Sequence, residues 1–184
     1  TSIPTAKVVP GREITIGQSV LGKPITAVAF GSGPQALIFV GGIHAGYGPS
    51  SVTLAEAIIE HYQTNPEATV AIPNNVTLFI IPNLNPDATP NPGDPQARTN
   101  ANGVNLNRNW PCNFSPGSEF GAEALSEPEN QALNSFIETE NTAAVIFWNF
   151  PVTQANQSVV SPGVCHADLG NVSRALMNAY ASSS

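Results

Sequence analysis

The chain has 184 residues and few charges: Asp, Glu, Lys and Arg make up 10% of it, and the net charge is −7. With only two Lys and four Arg, no dense basic patch can form, which argues against nucleic acid and anionic membranes as partners. No apolar stretch approaches about 18 residues, so no membrane span is predicted. A hydrophobic content of 41% is sufficient for one domain with a packed core.

Four segments in the first half have the pattern of strands, either alternating or continuously apolar. They are residues 13–17, 25–30, 36–40 and 76–81. Between the last two, a helix is expected to run to about Tyr62, with Ser50 or Ser51 as its cap.

The second half begins with a long Pro- and Asn-rich stretch, residues 82–122, and loops of that length are usually functional. A capping box at Ser126–Glu129, with Pro in the first turn, predicts a helix to about Thr139. A fifth strand at 143–148 and a last helix near 167–180 complete the predicted elements.

Strands alternating with helices predict an α/β fold with a largely parallel sheet and helices on both faces. Ligands of such sheets bind beyond the carboxyl ends of the strands. Residues 41–49, 83–110 and 149–151 should therefore surround one crevice within a single domain, 1–184.

Three of the strand-end segments resemble the zinc carboxypeptidases in order and spacing. They are Gly41–Ser51, then Pro82–Asp87 with Arg98–Trp110, and finally Ser126–Glu129 with Ala144–Asn149. The resemblance covers nearly the whole chain. It implies a three-layer α/β sandwich with a mixed, mostly parallel sheet, lacking the C-terminal part of the family fold.

In that family a His, a Glu and a second His bind zinc and leave one position open for water. The resemblance puts His44 at the first ligand position. The Glu position falls on Tyr47 by simple count, or on Gly48 if one residue is inserted. The second His position falls on Asn149, a poor zinc ligand.

Two further groups of the family site are changed as well. The Asp that would orient the first His is Asn105, and the chain ends before the general-base Glu is reached. We therefore expect no cofactor, and zinc only if the site is completed by groups elsewhere.

The positions that hold or polarise the substrate in the family are better preserved, as Arg98, Asn107 and Arg108. A guanidinium fork suits a carboxylate, so peptide carboxylates are candidate ligands. The alternative is structural, with these side chains bracing the long loop.

Cys112 and Cys165 lie in loop-like contexts, and a disulfide between them is favoured over two free thiols, as in an exported protein. Glycosylation acceptor sequences occur at Asn75, Asn113, Asn156 and Asn171. The remaining histidines are His61, expected to be partly exposed on the first helix, and His166, a weak metal candidate beside Cys165.

These features suggest three functions. The first, which we favour, is a secreted, catalytically inactive carboxypeptidase-like domain that serves as a binding or structural module. The alternative is an active zinc metallocarboxypeptidase or peptide amidase with its site completed by other parts. The third is a subunit that self-associates, or binds another protein, to cover an unfinished sheet.

Overall fold

A computed structural model describes residues 11–112 and 114–149, together with the separate helical positions 175, 178, 179 and 182. The chain divides into two compact units, Thr1–Val152 and Thr153–Ser184. Most of the second unit, including nearly all of the helix predicted at 167–180, lies outside the described residues.

The first unit is built on a mixed sheet whose described part has five strands. They are β1 (Arg12–Gln18), β2 (Pro24–Gly31), β3 (Gln35–Val40), β4 (Val76–Ile81) and β5 (Thr142–Phe147). The spatial order is β1-β2-β4-β3-β5; β1/β2 and β2/β4 are antiparallel, whereas β3 runs parallel to both β4 and β5. The predicted α/β fold with a mixed sheet is confirmed, and the strand ends agree to within one residue.

Helices cover both faces of this sheet. They are α1 (Ser50–Thr64), the short α2 (Pro66–Val70), which the sequence did not predict, and α3 (Pro128–Thr139). Leu133 and Phe136 of α3 belong to one buried cluster with Ile38. Ala55 of α1 belongs to a second cluster with Phe30. Because alternate residues of a strand point to opposite faces, the sheet buries a core on each side.

Neither α1 nor α3 begins with the side-chain cap that the sequence predicted. Ser51 lies inside α1, where its hydroxyl donates to the Gly48 carbonyl (2.8 Å) and accepts from the Gly42 amide (3.2 Å). The cap position itself is Pro49, which has no side-chain cap bond. The capping prediction was wrong because the Ser51 hydroxyl makes its hydrogen bonds to the backbone of the turn after β3 instead.

The capping box at the start of α3 is also absent. Glu127 is the cap residue and makes no side-chain cap bond, although Pro128 opens the helix as predicted. The Ser126 hydroxyl donates to Glu127 Oε1 (2.7 Å), and Glu129 Oε1 accepts from the Val20 amide (3.1 Å). Both carboxylates turn inward to bind other parts of the fold, so neither reaches back to the helix start.

Asn side chains organise the long loop after β4, which contains two short 3-10 helices, Pro95–Arg98 and Leu106–Arg108. Asn109 donates to the carbonyls of Phe120 (2.6 Å) and Glu123 (2.9 Å). Asn109 Oδ1 also accepts from the Glu127 amide (3.1 Å). These side chain–backbone bonds replace the regular hydrogen bonding that the loop lacks.

β5 is the outer strand of the described sheet, and Phe147 at its end is 38% exposed. The segment directly after Asn149 lies outside the described residues. The expectation that this side of the sheet is covered by self-association or by another protein therefore stays a prediction.

Candidate functional site

Parallel pairing of β3 and β5 brings His44 and Asn149 together, the residues at the predicted first and second His positions. Val40 is opposite Phe147 in the register, and the Trp148 amide donates to the Val40 carbonyl (2.8 Å). His44 and Asn149 come after these strand ends and therefore emerge at the same edge of the sheet.

The turn that carries His44 away from β3 requires glycine at position 42. Gly42 has φ +66°, and a Cβ there would lie 2.5 Å from Asn83 Oδ1. Any other residue would be strained and would collide with the segment after β4.

His44 is buried between two asparagine side chains. Its Nδ1 lies 3.1 Å from Asn149 Oδ1, and its Nε2 lies 2.8 Å from Asn105 Oδ1. Asn105 Oδ1 also accepts from the Asn107 amide (3.1 Å), which fixes the orientation of the Asn105 amide. The structure thus brings together the side chains of His44, Asn105 and Asn149.

Burial lowers the pKa of His44 below its ordinary value of 6.5, and the positive charges of Arg98 and Arg108 lower it further, against the opposing effect of the two Asn hydrogen bonds. A neutral imidazole carries one N–H. Because Asn105 Oδ1 is an acceptor, that proton belongs on Nε2, and Nδ1 must accept. A neutral ring therefore requires the Asn149 amide to be flipped, so that its NH₂ group takes the place given above to Oδ1 and donates to Nδ1.

The lowered pKa of His44 predicts a loss of stability on acidification. Above pH 6.5 the ring is neutral in both states; below it, the unfolded chain takes up a proton that the folded site resists, so the free energy of unfolding falls. Urea unfolding at several pH values should show that the free energy of unfolding falls more steeply with decreasing pH for the wild-type protein than for His44→Gln. Equal slopes would contradict a neutral, buried His44.

Two arginines lie beside this group in different surroundings. The guanidinium of Arg98 stacks on the Tyr47 ring, 4.1 Å from its centroid. Arg108 pairs with Glu119, with Nη1 3.3 Å from Oε2, and lies 5.2 Å from the centroid of Phe120. Asn107 is exposed. All three predicted substrate-side residues therefore lie in the loop that borders His44.

The structure places both candidates for the missing Glu position in the turn that carries His44. The Gly48 amide donates to the His44 carbonyl (2.8 Å), so residues 44–48 form one helical turn, in which the positions three and four residues after His44 both share its face. Tyr47 is buried against Arg98. The assignment of the Glu position to Tyr47 or Gly48 therefore stays a prediction.

The remaining residues singled out in the sequence lie partly outside the described range. His61 is exposed on α1 and Asn75 is exposed before β4, both as expected of their types. Asn113, Asn156, Cys165, His166 and Asn171 lie outside the described residues. The Cys112–Cys165 pairing therefore stays a prediction. No helix in the described part of the chain is long and apolar enough to cross a membrane.

The structure also contains a second cluster of polar side chains that the sequence did not predict, formed by Asn100, Asn102, Glu127 and Glu129. Glu127 and Glu129 are 4% and 0% exposed, and the Asn100 Nδ2 group donates to Oε2 of both, at 2.7 and 3.0 Å. Asn102 donates to Glu127 as well (2.9 Å). Within the described residues neither carboxylate has a cationic partner. The only signal in the sequence was the coincidence of an Asn-rich loop and two closely spaced Glu.

Comparison with known proteins agrees with this architecture. The sequence profile described as zinc carboxypeptidase matches residues 11–162. The chain belongs to the zinc carboxypeptidase family, which confirms the predicted resemblance.

Two curated relatives show how the similarity is distributed. Bacteriocin BCN5 of Clostridium perfringens is 33% identical over 150 residues, covering 74% of this chain and 16% of that protein. Carboxypeptidase SOL1 of Arabidopsis thaliana is 32% identical over 137 residues, covering 68% of this chain and 26% of that protein. The chain thus spans well under half the length of these relatives.

Solved structures share the fold. A metallo-carboxypeptidase from Burkholderia cenocepacia superposes with a TM-score of 0.63 at 19% identity, covering 97% of this chain and 47% of that one. The murein-tripeptide amidase MpaA from Escherichia coli O157 gives a TM-score of 0.54 at 28% identity, covering 79% of this chain and 64% of that one.

The family is zinc-dependent, but the residues around His44 do not fit zinc. The side chain facing Nδ1 is the neutral amide of Asn149, and no group of three or more His, Cys, Asp or Glu converges anywhere among the residues that the structure describes. Two guanidinium groups add positive charge beside His44. Among the described residues, a dication at this position would meet one imidazole, no carboxylate and the positive charges of two guanidinium groups.

Proposed function

We propose that this chain is a non-hydrolytic member of the zinc carboxypeptidase family that binds peptides through their terminal carboxylate. The observation that carries the proposal is the set of side chains around His44. His44 is enclosed by Asn105 and Asn149, while Arg98 and Arg108 remain beside it. The groups that would activate water are replaced, and the groups that would attract an anion are kept.

Charge and geometry both support a carboxylate ligand. Arg98 and Arg108 are two of only four Arg in a chain of net charge −7, yet both lie close enough to His44 to lower its pKa. A guanidinium binds a carboxylate through two parallel hydrogen bonds. Such charge-assisted bonds contribute about 1.5–3 kcal/mol each, enough for selective though weak binding.

Calorimetric titration tests the proposal with one peptide in two forms, free and amidated at its C-terminus. We expect the free acid to bind about tenfold or more tightly than the amide, because the amide lacks the charge. Incubation of both peptides with the protein and excess zinc should leave them intact by mass spectrometry. Equal affinities, or cleavage of either peptide that His44→Gln abolishes, would overturn the proposal.

Export forms part of the same proposal. The few Lys and the two Cys of the sequence, together with the exposed side chain of Asn75, support an extracellular setting. An extracellular domain would meet free peptide ends as soluble ligands.

A further inference from the structure

We infer that Asn102 is a site of spontaneous deamidation which the folded chain protects, and that its conversion to aspartate or isoaspartate prevents the surrounding turn from closing again on Glu127. Asn102 precedes Gly103, and this is the only Asn-Gly pair in the sequence. The modification limits the lifetime of the fold, whatever ligand the chain binds.

Deamidation of an Asn-Gly pair is a reaction of the chain with itself and water. The backbone nitrogen of Gly103 attacks Cγ of Asn102 and closes a cyclic imide, because glycine has no side chain to hinder the attack. The bond from Cγ to Nδ2 breaks, and Nδ2 leaves as ammonia with the proton of the attacking amide. Water then opens the imide at Cγ, which gives aspartate, or at the main-chain carbonyl, which gives isoaspartate. The net change is loss of ammonia and gain of water.

The turn at residues 100–104 holds both reacting groups in place. The Gly103 amide donates to the Asn100 carbonyl (3.0 Å), and the Asn102 Nδ2 group donates to Glu127 Oε2 (2.9 Å). The Asn102 amide itself donates to Asn100 Oδ1 (3.0 Å). Attack requires that the Gly103 nitrogen leaves its acceptor and that the Asn102 side chain rotates toward it. The closed turn therefore opposes the reaction, which proceeds from chains in which the turn has opened.

The turn is held by these hydrogen bonds rather than by packing. Asn102 and Gly103 are both exposed, and a Cβ at Gly103 would meet no atom within 4 Å. Gly103 has φ +76°, a conformation that favours glycine. Exposed segments with few packed contacts open at a lower free-energy cost than the core. Asn102 is thus protected by a local closure that can be lost without global unfolding.

The reaction products cannot make the original contacts. In aspartate a carboxylate oxygen replaces the Asn102 Nδ2 donor, 2.9 Å from Glu127 Oε2, so a hydrogen bond becomes a repulsion between like charges. Glu127 is 4% exposed, and within the described residues neither Glu127 nor Glu129 has a cationic partner that would offset an added charge. Isoaspartate also routes the main chain through Cβ, which lengthens a turn closed by the Gly103 hydrogen bond.

The affected cluster joins the long loop to α3. Asn100 of the loop donates to Glu129 of α3 (3.0 Å), and the same loop carries Asn105, whose Oδ1 lies 2.8 Å from His44 Nε2. Modified chains should therefore hold this loop less firmly and unfold at a lower urea concentration than unmodified chains.

Mass spectrometry of the tryptic peptide 99–108, after incubation at mildly alkaline pH, measures the reaction. This peptide contains four Asn, and fragmentation assigns the modified one. In guanidinium chloride we expect Asn102 to react faster than the other three. In the native protein Asn102 should react at least about tenfold more slowly, because the turn must first open. Equal rates in the two states, or faster reaction at another Asn of the peptide, would overturn the inference.

Asn102→Ala cannot deamidate and separates this modification from other damage during the incubation. After removal of the denaturant, the urea midpoint of the wild-type protein should fall in proportion to the fraction modified at Asn102. The midpoint of Asn102→Ala should return to its starting value. Full recovery of wild-type chains that are modified at Asn102 would show that the turn closes on the product, contrary to the inference.

Asn102→Asp reproduces the aspartate product directly. Its urea midpoint should be lower than that of Asn102→Ala, because both variants lose the donor but only Asn102→Asp adds a charge. Introducing Glu127→Gln into both variants should remove most of this difference, as a double-mutant cycle measures. Failure of Asn102→Asp to fold under conditions where Asn102→Ala folds would support the same conclusion. A midpoint for Asn102→Asp equal to or above that of Asn102→Ala would overturn it.

Discussion

Replacing Gly48 with Glu and Asn149 with His should turn the His44 crevice into a zinc site. The two changes supply a carboxylate and a second imidazole beside His44, the ligand set of a catalytic zinc site in this family. Position 48 is one helical turn from His44, and Asn149 already lies 3.1 Å from its Nδ1. We expect the double variant to retain stoichiometric zinc after dialysis, measured by elemental analysis, and the parent to retain almost none.

The matched control moves the carboxylate by one residue. Tyr47→Glu with Asn149→His has the same composition of ligands, but position 47 is packed against Arg98. It should retain much less zinc than the Gly48 variant; the reverse result would show that the family aligns without an insertion. Adding Asn105→Asp, which restores a charged partner for His44 Nε2, should tighten zinc by about 10- to 100-fold.

Asn100→Ala should be among the most destabilising single substitutions. Its side chain donates to Glu127 and Glu129, both almost fully buried, and its Oδ1 accepts from the amides of Asn102 and Val104. Removing this side chain takes one donor from each carboxyl group and one acceptor from each amide, at about 1–3 kcal/mol for each buried group left unsatisfied, which is a large share of a typical folding free energy of about 5–15 kcal/mol. Urea unfolding followed by circular dichroism measures this loss.

Asn102→Ala is the control for that experiment. Asn102 also donates to Glu127 (2.9 Å), but its own side chain is exposed and Glu127 keeps its other donors. We expect a loss of about 0.5–1.5 kcal/mol, the net contribution of a typical hydrogen bond. Similar losses for the two variants would show that water, rather than Asn100, solvates the carboxylates.

The strands were predictable because their signal is local. Ala36–Val40 and Val76–Ile81 are continuous apolar runs that only a sheet covered on both faces can bury. The helix caps were not, because Ser51, Ser126 and Glu129 had alternative partners in the fold. A capping pattern counts neighbours in sequence, whereas a hydroxyl or carboxylate binds whichever donor or acceptor the fold brings near.

The sequence by itself determined the strands and the family, since both depend on residue type and order. Only the tertiary structure decided which side chains contact one another around His44. The parallel pairing of β3 with β5 sets Asn149 against His44, the long loop sets Asn105 on its other side, and Tyr47 takes Arg98 as its partner. These contacts join residues up to 105 positions apart in the chain, and such distant pairs are fixed by packing rather than by any local pattern.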